Sequence, residues 1–238
     1  MSSLCNQLFD LGYAIIPDLI GPKEVDEVFN CVKDLPAASA GKRRLIDILW
    51  CNALADRLAC EHRVRAVLPP AAVAVQCTLF TKSRGRNWLV PLHQDLSIPV
   101  ADRIDSPLCS GWSEKEGEIF VQPPITVLEE MLSVRVHLDD CNERNGALRV
   151  VPRSHRLGRL KPADALRVRH ERGDVAISVR SGGVMLMRPL LLHASSKASA
   201  DTPRRVLNFV FGPGNLPEGL GWMRRNQLVE SPTHGNVA

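Results

Sequence analysis

The feature that most constrains the fold is a change of hydrophobic period near residue 70. Before it, apolar residues recur at helical spacing, as in the segment between Gly21 and Pro36. After it the period becomes two, and in residues 132–138 apolar and polar side chains alternate. A segment with the helical period does not form a stable strand, and a segment with a period of two does not form a stable helix. The chain is therefore predicted to be mainly β, with helices in its first 70 residues.

Several short strands are expected, with turns such as Asn145-Gly146 between them. The strand candidates are residues 13–16, 73–80, 89–96, 132–138, 148–151, 175–179, 184–187 and 205–211. Short strands with few intervening helices predict a sandwich or jelly roll. A second helical stretch is predicted over residues 45–67. Residues 99–124 have no clean period, so they are predicted to form a lid or a locally disordered loop, with Trp112 lining a pocket.

Composition excludes several classes of protein. Hydrophobic residues make up 45% and charged residues 24%, as in globular domains and unlike disordered chains. No apolar run approaches the roughly 18 residues of a spanning helix, and the start lacks a signal peptide, so we expect a cytoplasmic protein without a membrane partner. The net charge of +4 does not indicate a nucleic-acid partner. Seven scattered cysteines without a C-x-x-C pair argue against disulfides and structural zinc.

One histidine–carboxylate motif lies in a predicted strand. His93 and Asp95 are two residues apart, so their side chains share a face and can converge on one ion. The motif alone is unspecific, because His137 and Asp139 repeat it. A facial metal triad needs a third ligand from a distant strand, and leaves positions open for substrate and O₂. His193, which follows an apolar strand, is the candidate for that ligand.

Three signatures occur in the chain in a fixed order: HQD at 93–95, NGALRVVPRSH at 145–155, and H-A-S followed by arginine at 193–204. Together they resemble the phytanoyl-CoA dioxygenase-like branch of the iron(II)/2-oxoglutarate oxygenases. The resemblance implies a double-stranded β-helix (a cupin-like jelly roll) with N-terminal helices. A single domain over 1–238 is expected, with a helical buttress at 1–70, a core at 71–212 and a tail at 213–238.

The resemblance also implies an activity and its cofactors. The enzyme is expected to use Fe(II), 2-oxoglutarate and O₂ to hydroxylate or otherwise oxidise a small organic molecule, with succinate and CO₂ as coproducts. His93, Asp95 and His193 are implied as the iron ligands and catalytic residues. Three positions depart from the family pattern without removing a ligand. Arg153 replaces a turn glycine, Gly183 stands where Gly-Asp is common before the strand leading to the distal histidine, and Phe80 replaces an asparagine found in some members.

Residues for the cosubstrate follow from the same resemblance. Arg204, eleven residues after the distal histidine, is implied to bind the distal carboxylate of 2-oxoglutarate, with Ser195 assisting. Gln76 matches a position that contacts the cosubstrate in some members, and Lys82 is a further candidate cation. Strand alternation sends Arg204 and Arg205 to opposite faces, so only one of them can reach the pocket. The spacing favours Arg204.

Other interpretations stay open at this point. The chain could be a non-catalytic jelly roll that binds a ligand or partner, or a jelly-roll enzyme using another divalent metal, because nitrogen and carboxylate ligands also suit manganese, cobalt, nickel and zinc. The basic stretch 153–172 is interpreted as a solvated face, with an anion-docking surface as the alternative. The expected partner is thus a small-molecule substrate, with an anionic or carrier-linked one as a further possibility.

Overall fold

The computed structural model describes residues 3–33, 35, 41–83, 87–200 and 202–224. Its α-helices are α1 (Ser3–Leu11), α2 (Pro22–Val32), α3 (Leu49–Cys60), α4 (His62–Arg65), α5 (Ile125–Glu130) and α6 (Pro162–Arg172). No helix in this part of the chain is long and apolar enough to cross a membrane. Pro36, the expected end of the first amphipathic segment, and residues 225–238 of the expected tail lie outside the described residues.

The strands form two larger antiparallel sheets and one small sheet. They are β1 (Tyr13–Ile16), β2 (Val73–Lys82), β3 (Val90–His93), β4 (Ile98–Val100), β5 (Ser110–Lys115), β6 (Glu118–Gln122), β7 (Leu132–His137), β8 (Leu148–Val150), β9 (Val175–Ala176), β10 (Val184–Met187), β11 (His193–Ser195) and β12 (Arg204–Gly212). The first sheet has the order β1-β10-β7-β12-β2 and the second the order β3-β11-β8-β9. The predicted mainly β jelly roll with N-terminal helices is confirmed.

Alternation along the first sheet directs one set of side chains toward the N-terminal helices. The apolar residues of β7 and β12 on this face form a single core cluster with those of α2 and α3, which includes Val134, Val136, Leu207, Phe209, Val25, Val28, Leu54 and Leu58. Burying each of these side chains contributes about 1.5–3 kcal/mol to the hydrophobic stabilisation of the fold. The helices therefore hold this sheet rigid from behind.

The opposite face of the same sheet is polar but still buried. Ser133, Arg135 and His137 of β7 are all shielded from solvent. The sequence predicts a half-buried strand here, and this is wrong, because Ser133 and Arg135 line a cavity bounded on its other side by β3 and β11. Polar alternation in this strand thus marks the inside of a cavity.

One predicted helix and two predicted strands have different boundaries in the structure. The single stretch expected over 45–67 is divided into a 3₁₀ turn at Leu45–Asp47, α3 and α4. The division falls at Glu61, whose backbone is extended and whose carboxylate accepts hydrogen bonds from the N–H groups of Arg63 (2.8 Å) and Val64 (3.1 Å). This cap starts a new helix. The strands expected at 89–96 and 175–179 are shorter, at β3 and β9.

The segment 99–124 forms strands, so of the two expectations for it the disordered loop is wrong and the lid stays a prediction. It contributes to a three-stranded sheet of order β4-β6-β5. Its hairpin turns at Glu116 (φ 54°) and Gly117 (φ 77°), the two positive φ values of a type I′ turn. Trp112 does not line the cavity; it packs in an apolar cluster, with the Arg103 guanidinium carbon 5.9 Å from its ring centroid.

A glycine between α1 and β1 gives a stability prediction. Gly12 has φ +83°, and a Cβ there would lie 2.4 Å from His155 Nδ1 and 2.9 Å from Leu191 Cδ1. We expect Gly12→Ala to reduce the free energy of unfolding by about 2–4 kcal/mol, through backbone strain and overpacking. Gly117→Ala, with φ +77° but nothing within 4 Å of the added Cβ, should cost only about 1 kcal/mol. Urea unfolding of both variants measures the difference, and equal losses would contradict the steric argument.

Candidate metal and cosubstrate site

Two adjacent strands of the second sheet bring the predicted histidines together. His93 on β3 and His193 on β11 are directly paired, with ring centroids 4.1 Å apart. Asp95 lies just beyond β3, with Oδ1 3.6 Å from His93 Nε2 and Oδ2 3.8 Å from His193 Nε2. One ligand atom from each residue lies within 4.8 Å of the others. Within the described ranges, no other group of three His, Cys, Asp or Glu side chains is so arranged.

Backbone carbonyls orient both imidazoles. Nδ1 of His93 lies 2.8 Å from the carbonyl oxygen of Pro91, and Nδ1 of His193 lies 2.8 Å from that of Leu191. A carbonyl oxygen only accepts, so each Nδ1 carries a hydrogen, and in the neutral imidazole each Nε2 is the nitrogen left free to bind a cation. Two imidazole nitrogens and one carboxylate on one side of an ion are the donor set of a facial iron(II) site, and the residues present fit it.

The residue between His93 and Asp95 fixes the position of both. The Gln94 side chain is buried; its amide nitrogen donates to the carbonyl oxygens of Leu190 (2.7 Å) and Gly158 (2.8 Å), and its amide oxygen accepts from Leu160 N (2.8 Å). These three bonds satisfy most of the hydrogen-bonding capacity of the amide. The Asp95 backbone N–H donates to the carbonyl of Pro189 (2.9 Å). The motif therefore lies on a backbone fixed on both sides.

The protonation states of the cluster suit a divalent cation. Burial opposes ionisation of Asp95, but His193 and His93 overcome it and lower the pKa of this carboxyl to about 2. Burial lowers the pKa of His193 to about 4. For His93 the nearby Asp95 carboxylate outweighs burial and raises the pKa. At neutral pH the cluster therefore offers a carboxylate and a neutral His193, which are the metal-binding forms.

A cavity of about 500 Å³ opens beside this cluster. Its size lies within the range of about 300–1,000 Å³ typical of small-molecule sites. Besides the three candidate ligands, it is lined by the predicted residues Gln76, Ser195 and Arg204. The structure thus brings six of the seven predicted site residues to one cavity. Lys82, the seventh, lies behind Ser195.

The two adjacent arginines point to different places. The Arg204 guanidinium is buried in the cavity wall, and its Nε has no hydrogen-bond partner among the described residues. Arg205 points away, donating from Nε (2.7 Å) and Nη2 (2.6 Å) to the Asp139 carboxylate, with its guanidinium 4.3 Å from the ring centroid of Phe29. Of these two arginines, Arg204 is therefore the one that can meet an anion in the cavity.

Lys82 and Ser195 form a linked polar pair beneath Arg204. The Lys82 ammonium donates to Ser195 Oγ (2.6 Å) and to the carbonyl of Ser196 (2.5 Å), and Ser195 Oγ donates to the carbonyl of Gly146 (2.9 Å). Because the hydroxyl hydrogen is already used, Ser195 presents only an acceptor to the cavity. Lys82 therefore contributes positive charge from behind the wall.

The second histidine–carboxylate motif is not a metal site in the described structure. Burial and the neighbouring Arg135 lower the pKa of His137 to about 3, while the Asp139 carboxylate binds Arg205. His155, the last residue of the NGALRVVPRSH signature, has a structural role, with Nε2 3.1 Å from the carbonyl oxygen of Phe9.

The basic stretch 153–172 is partly neutralised. Side chains within it form ion pairs with acidic neighbours, which are Arg156–Asp10 (2.9 Å), Arg167–Asp164 (3.2 Å) and Arg169–Asp174 (2.6 Å). Arg153, at the turn where the family usually has glycine, takes the left-handed conformation (φ 66°) that glycine favours. The three ion pairs favour a solvated face over an anion-docking surface for this stretch.

Sequence reasoning missed other cavity residues, notably Trp88, Arg135 and Asn208. Arg135 had a visible signal, a basic residue in the middle of the apolar strand β7. That signal is ambiguous, because a strand with one solvated face has the same pattern.

A family model described as phytanoyl-CoA dioxygenase (PhyH) matches residues 9–206, well over half of the sequence. The chain belongs to the phytanoyl-CoA dioxygenase family. Membership and the His-Asp-His cluster confirm the predicted class of enzyme, an iron(II)- and 2-oxoglutarate-dependent oxygenase that uses O₂. No curated protein matches the sequence.

Solved structures share the fold. EctD from S. alaskensis in its apo form matches with a TM-score of 0.70 and 19% identity, over 96% of this chain and 85% of that chain. The non-heme alpha-ketoglutarate-dependent carbocyclase SnoK from nogalamycin biosynthesis gives 0.64 and 16%, over 90% and 84%. HygX from Streptomyces hygroscopicus with nickel and 2-oxoglutarate bound gives 0.60 and 20%, over 90% and 87%. At these identities the likeness shows the fold of this family member.

The lowered pKa of the buried Lys82 implies that the stability of the fold depends on pH. Burial and Arg204 lower the pKa of Lys82 from 10.5 to about 8. Between these values the unfolded chain holds this proton more tightly, so the contribution of Lys82 to stability rises with pH from about 8 to about 10.5. We expect metal-free Lys82→Met to lack this rise, and Lys23→Met, at an exposed site, to retain it. The measurement is the free energy of unfolding in urea across this interval; an unchanged rise in Lys82→Met would refute the assignment.

Proposed function

We propose that this family member oxidises a small organic molecule with Fe(II), 2-oxoglutarate and O₂, releasing succinate and CO₂. The supporting observation is that the His-Asp-His cluster and the buried guanidinium of Arg204 line the same cavity of about 500 Å³. A metal-binding cluster alone would suit many metalloproteins. The added cation provides for an anionic cosubstrate at the same centre.

In this proposal His93, Asp95 and His193 hold the iron from one side, leaving the cavity side for the cosubstrate and O₂. Bound iron supplies the activation of O₂ that the side chains lack. The protein itself holds Asp95 ionised, keeps His193 neutral and directs the Nε2 atoms of both histidines toward the shared site. The fixed backbone at Gln94 prevents the ligands from rearranging during turnover.

Arg204 would bind the distal carboxylate of 2-oxoglutarate through two parallel N–H bonds, a geometry that guanidinium matches well. Ser195 and Lys82 act on the same end of the cavity: the lysine adds positive charge and the serine fixes the lysine. Gln76 contributes a further polar group, with its Nε2 3.1 Å from Thr78 Oγ1. We therefore propose these four residues as the cosubstrate site.

The test is succinate formation from 2-oxoglutarate by protein reconstituted anaerobically with Fe(II), then supplied with ascorbate and air. Such enzymes also turn over without their substrate at a low rate, so we expect slow, iron-dependent succinate release matched by O₂ consumption. Reconstitution with Zn(II) should give none. Absence of succinate with iron, together with absence of 2-oxoglutarate binding, would favour the non-catalytic alternative. Metal analysis of anaerobically prepared protein separates iron from manganese, cobalt, nickel and zinc.

A further inference from the structure

A second guanidinium lies inside the cavity. Arg135 is on β7, 6% exposed, and lines the cavity together with Asp95. Its register partner on β12 is Asn208, whose Oδ1 accepts from Arg135 Nη1 at 3.2 Å. The guanidinium carbon lies 5.5 Å from the ring centroid of Phe80, which stands where some family members have asparagine. One amide and one aromatic face thus hold the group in place.

Among the described residues, Arg135 has no ion-pair partner of its own. Within the described part of the chain, no carboxylate forms an ion pair with it, and Asn208 accepts from only one of its nitrogens. Burial and the nearby Arg204 lower the pKa of Arg135, but only to about 10, so the group stays charged at neutral pH. A buried charge without an ion-pair partner is costly unless an anion joins it. Its remaining N–H groups are suited to a carboxylate.

In the proposed complex, the positive charge of Arg135 is not neutralised. Fe(II) with the Asp95 carboxylate has one net positive charge, and Arg204 adds a second. The two carboxylates of 2-oxoglutarate neutralise both. Of the other cations that line the cavity, Arg43 pairs with Glu116 and Lys115 is exposed to solvent. Arg135 then remains as the buried charge, with Lys82 behind the wall adding to the positive potential. A further anion in the cavity has to come from the primary substrate.

Part of the cavity wall is apolar. It includes Leu96, Ile98, Phe120, Leu128 and Met131. Such a wall suits a hydrocarbon body, while the one charge of Arg135 matches one monoanionic group. A dianion such as a phosphate would carry one negative charge more than Arg135 neutralises.

We propose that the primary substrate is a small carboxylic acid with an apolar body, and that Arg135, held by Asn208, binds its carboxylate. This inference rests on the proposed oxygenase function and adds the substrate class to it. Arg135 then determines specificity for the primary substrate, while Arg204 binds 2-oxoglutarate.

The experiment uses full-length protein loaded with Mn(II) and N-oxalylglycine, an unreactive analogue of 2-oxoglutarate. Binding of cyclohexanecarboxylate and cyclohexanecarboxamide is measured by calorimetry. A charge-assisted hydrogen bond contributes about 1.5–3 kcal/mol, so we expect the wild type to prefer the acid by about 10- to 100-fold. Arg135→Gln should lose that preference while its affinity for N-oxalylglycine changes less than about threefold. Equal binding of acid and amide by the wild type would overturn the proposal.

Two more variants distinguish a binding role from a structural one. Asn208→Asp is nearly isosteric and places a carboxylate beside Arg135, so it should remove the acid preference without loss of thermal stability. Arg43→Gln makes the same change as Arg135→Gln at another cavity residue, one already paired with Glu116 (2.8 Å), and should keep the preference. A retained preference in Arg135→Gln or in Asn208→Asp would refute the assignment.

The measurements of N-oxalylglycine binding distinguish a failure of this proposal from a failure of the proposed function. If Arg135→Gln loses N-oxalylglycine and Arg204→Gln does not, Arg135 is the cosubstrate clamp and the substrate assignment is wrong. If the wild type binds no N-oxalylglycine with Mn(II), the proposed function fails. The acid preference and its dependence on Arg135 are then still measured on metal-free protein, where their absence counts against the substrate site.

Discussion

His193→Ala is expected to abolish the weak visible charge-transfer band that forms when Fe(II) and 2-oxoglutarate are added anaerobically, and to reduce succinate formation more than about 100-fold. Loss of an outer-shell partner alone costs about 10- to 100-fold in metal affinity or activity, so loss of a direct ligand should cost more. His193 Nε2 faces Asp95 at 3.8 Å, and its ring packs against His93 at 4.1 Å, so alanine removes one of three donors. Anaerobic absorption spectroscopy and a succinate assay measure the two effects.

His137→Ala is the matched control, because it makes the same change in the other histidine–carboxylate motif. His137 is buried outside the cavity lining, so its loss should lower stability yet leave the band in place. If His137→Ala removed the band and His193→Ala left it intact, the metal would be bound by the motif of His137 and Asp139, and our assignment would be wrong.

Arg204→Ala should raise the 2-oxoglutarate concentration needed for half-maximal succinate formation by about 10- to 100-fold. The reason is the loss of charge-assisted hydrogen bonds, contributing about 1.5–3 kcal/mol, from a buried guanidinium with an unpartnered Nε. Arg204→Lys should recover little, because an ammonium is a point charge without the planar fork. Iron affinity should change by less than about threefold, since Arg204 is not one of the three candidate iron ligands.

Arg205→Ala makes the same substitution one residue along β12. It removes the contacts of Arg205 with Asp139 and Phe29, so we expect lower stability with an unchanged 2-oxoglutarate requirement. A titration in which Arg205→Ala raises that requirement and Arg204→Ala does not would show that the neighbouring arginine is the clamp.

The Arg204 and Arg205 pair also shows how far the sequence reaches. Strand alternation alone places the two side chains on opposite faces, and this is a property of the backbone. Which face meets the cavity depends on β12 lying between β2 and β7 with its other face on the N-terminal helices. The spacing known from the family supplied that choice in advance, and the structure places Arg204 accordingly.

Local pattern was least informative where hydrogen bonds or turn geometry decide. The break between α3 and α4 depends on the side chain of Glu61, and the hairpin in 99–124 on two positive φ values at Glu116-Gly117. A glutamate at such a turn carries little of the signal that Asn-Gly would. Both features had to be seen in three dimensions.

The sequence by itself determined the mainly β class, the N-terminal helices and the residue types of a metal site, because side-chain period and ligand chemistry are properties of short segments. Only the tertiary structure decided which motif has a third candidate ligand beside it, since His193 reaches His93 through a strand pairing across one hundred residues. It also decided that the polar face of β7, with Arg135, lines a cavity. The physical reason is that burial of a strand face depends on which sheet covers it, and long-range packing leaves no periodic trace in the sequence.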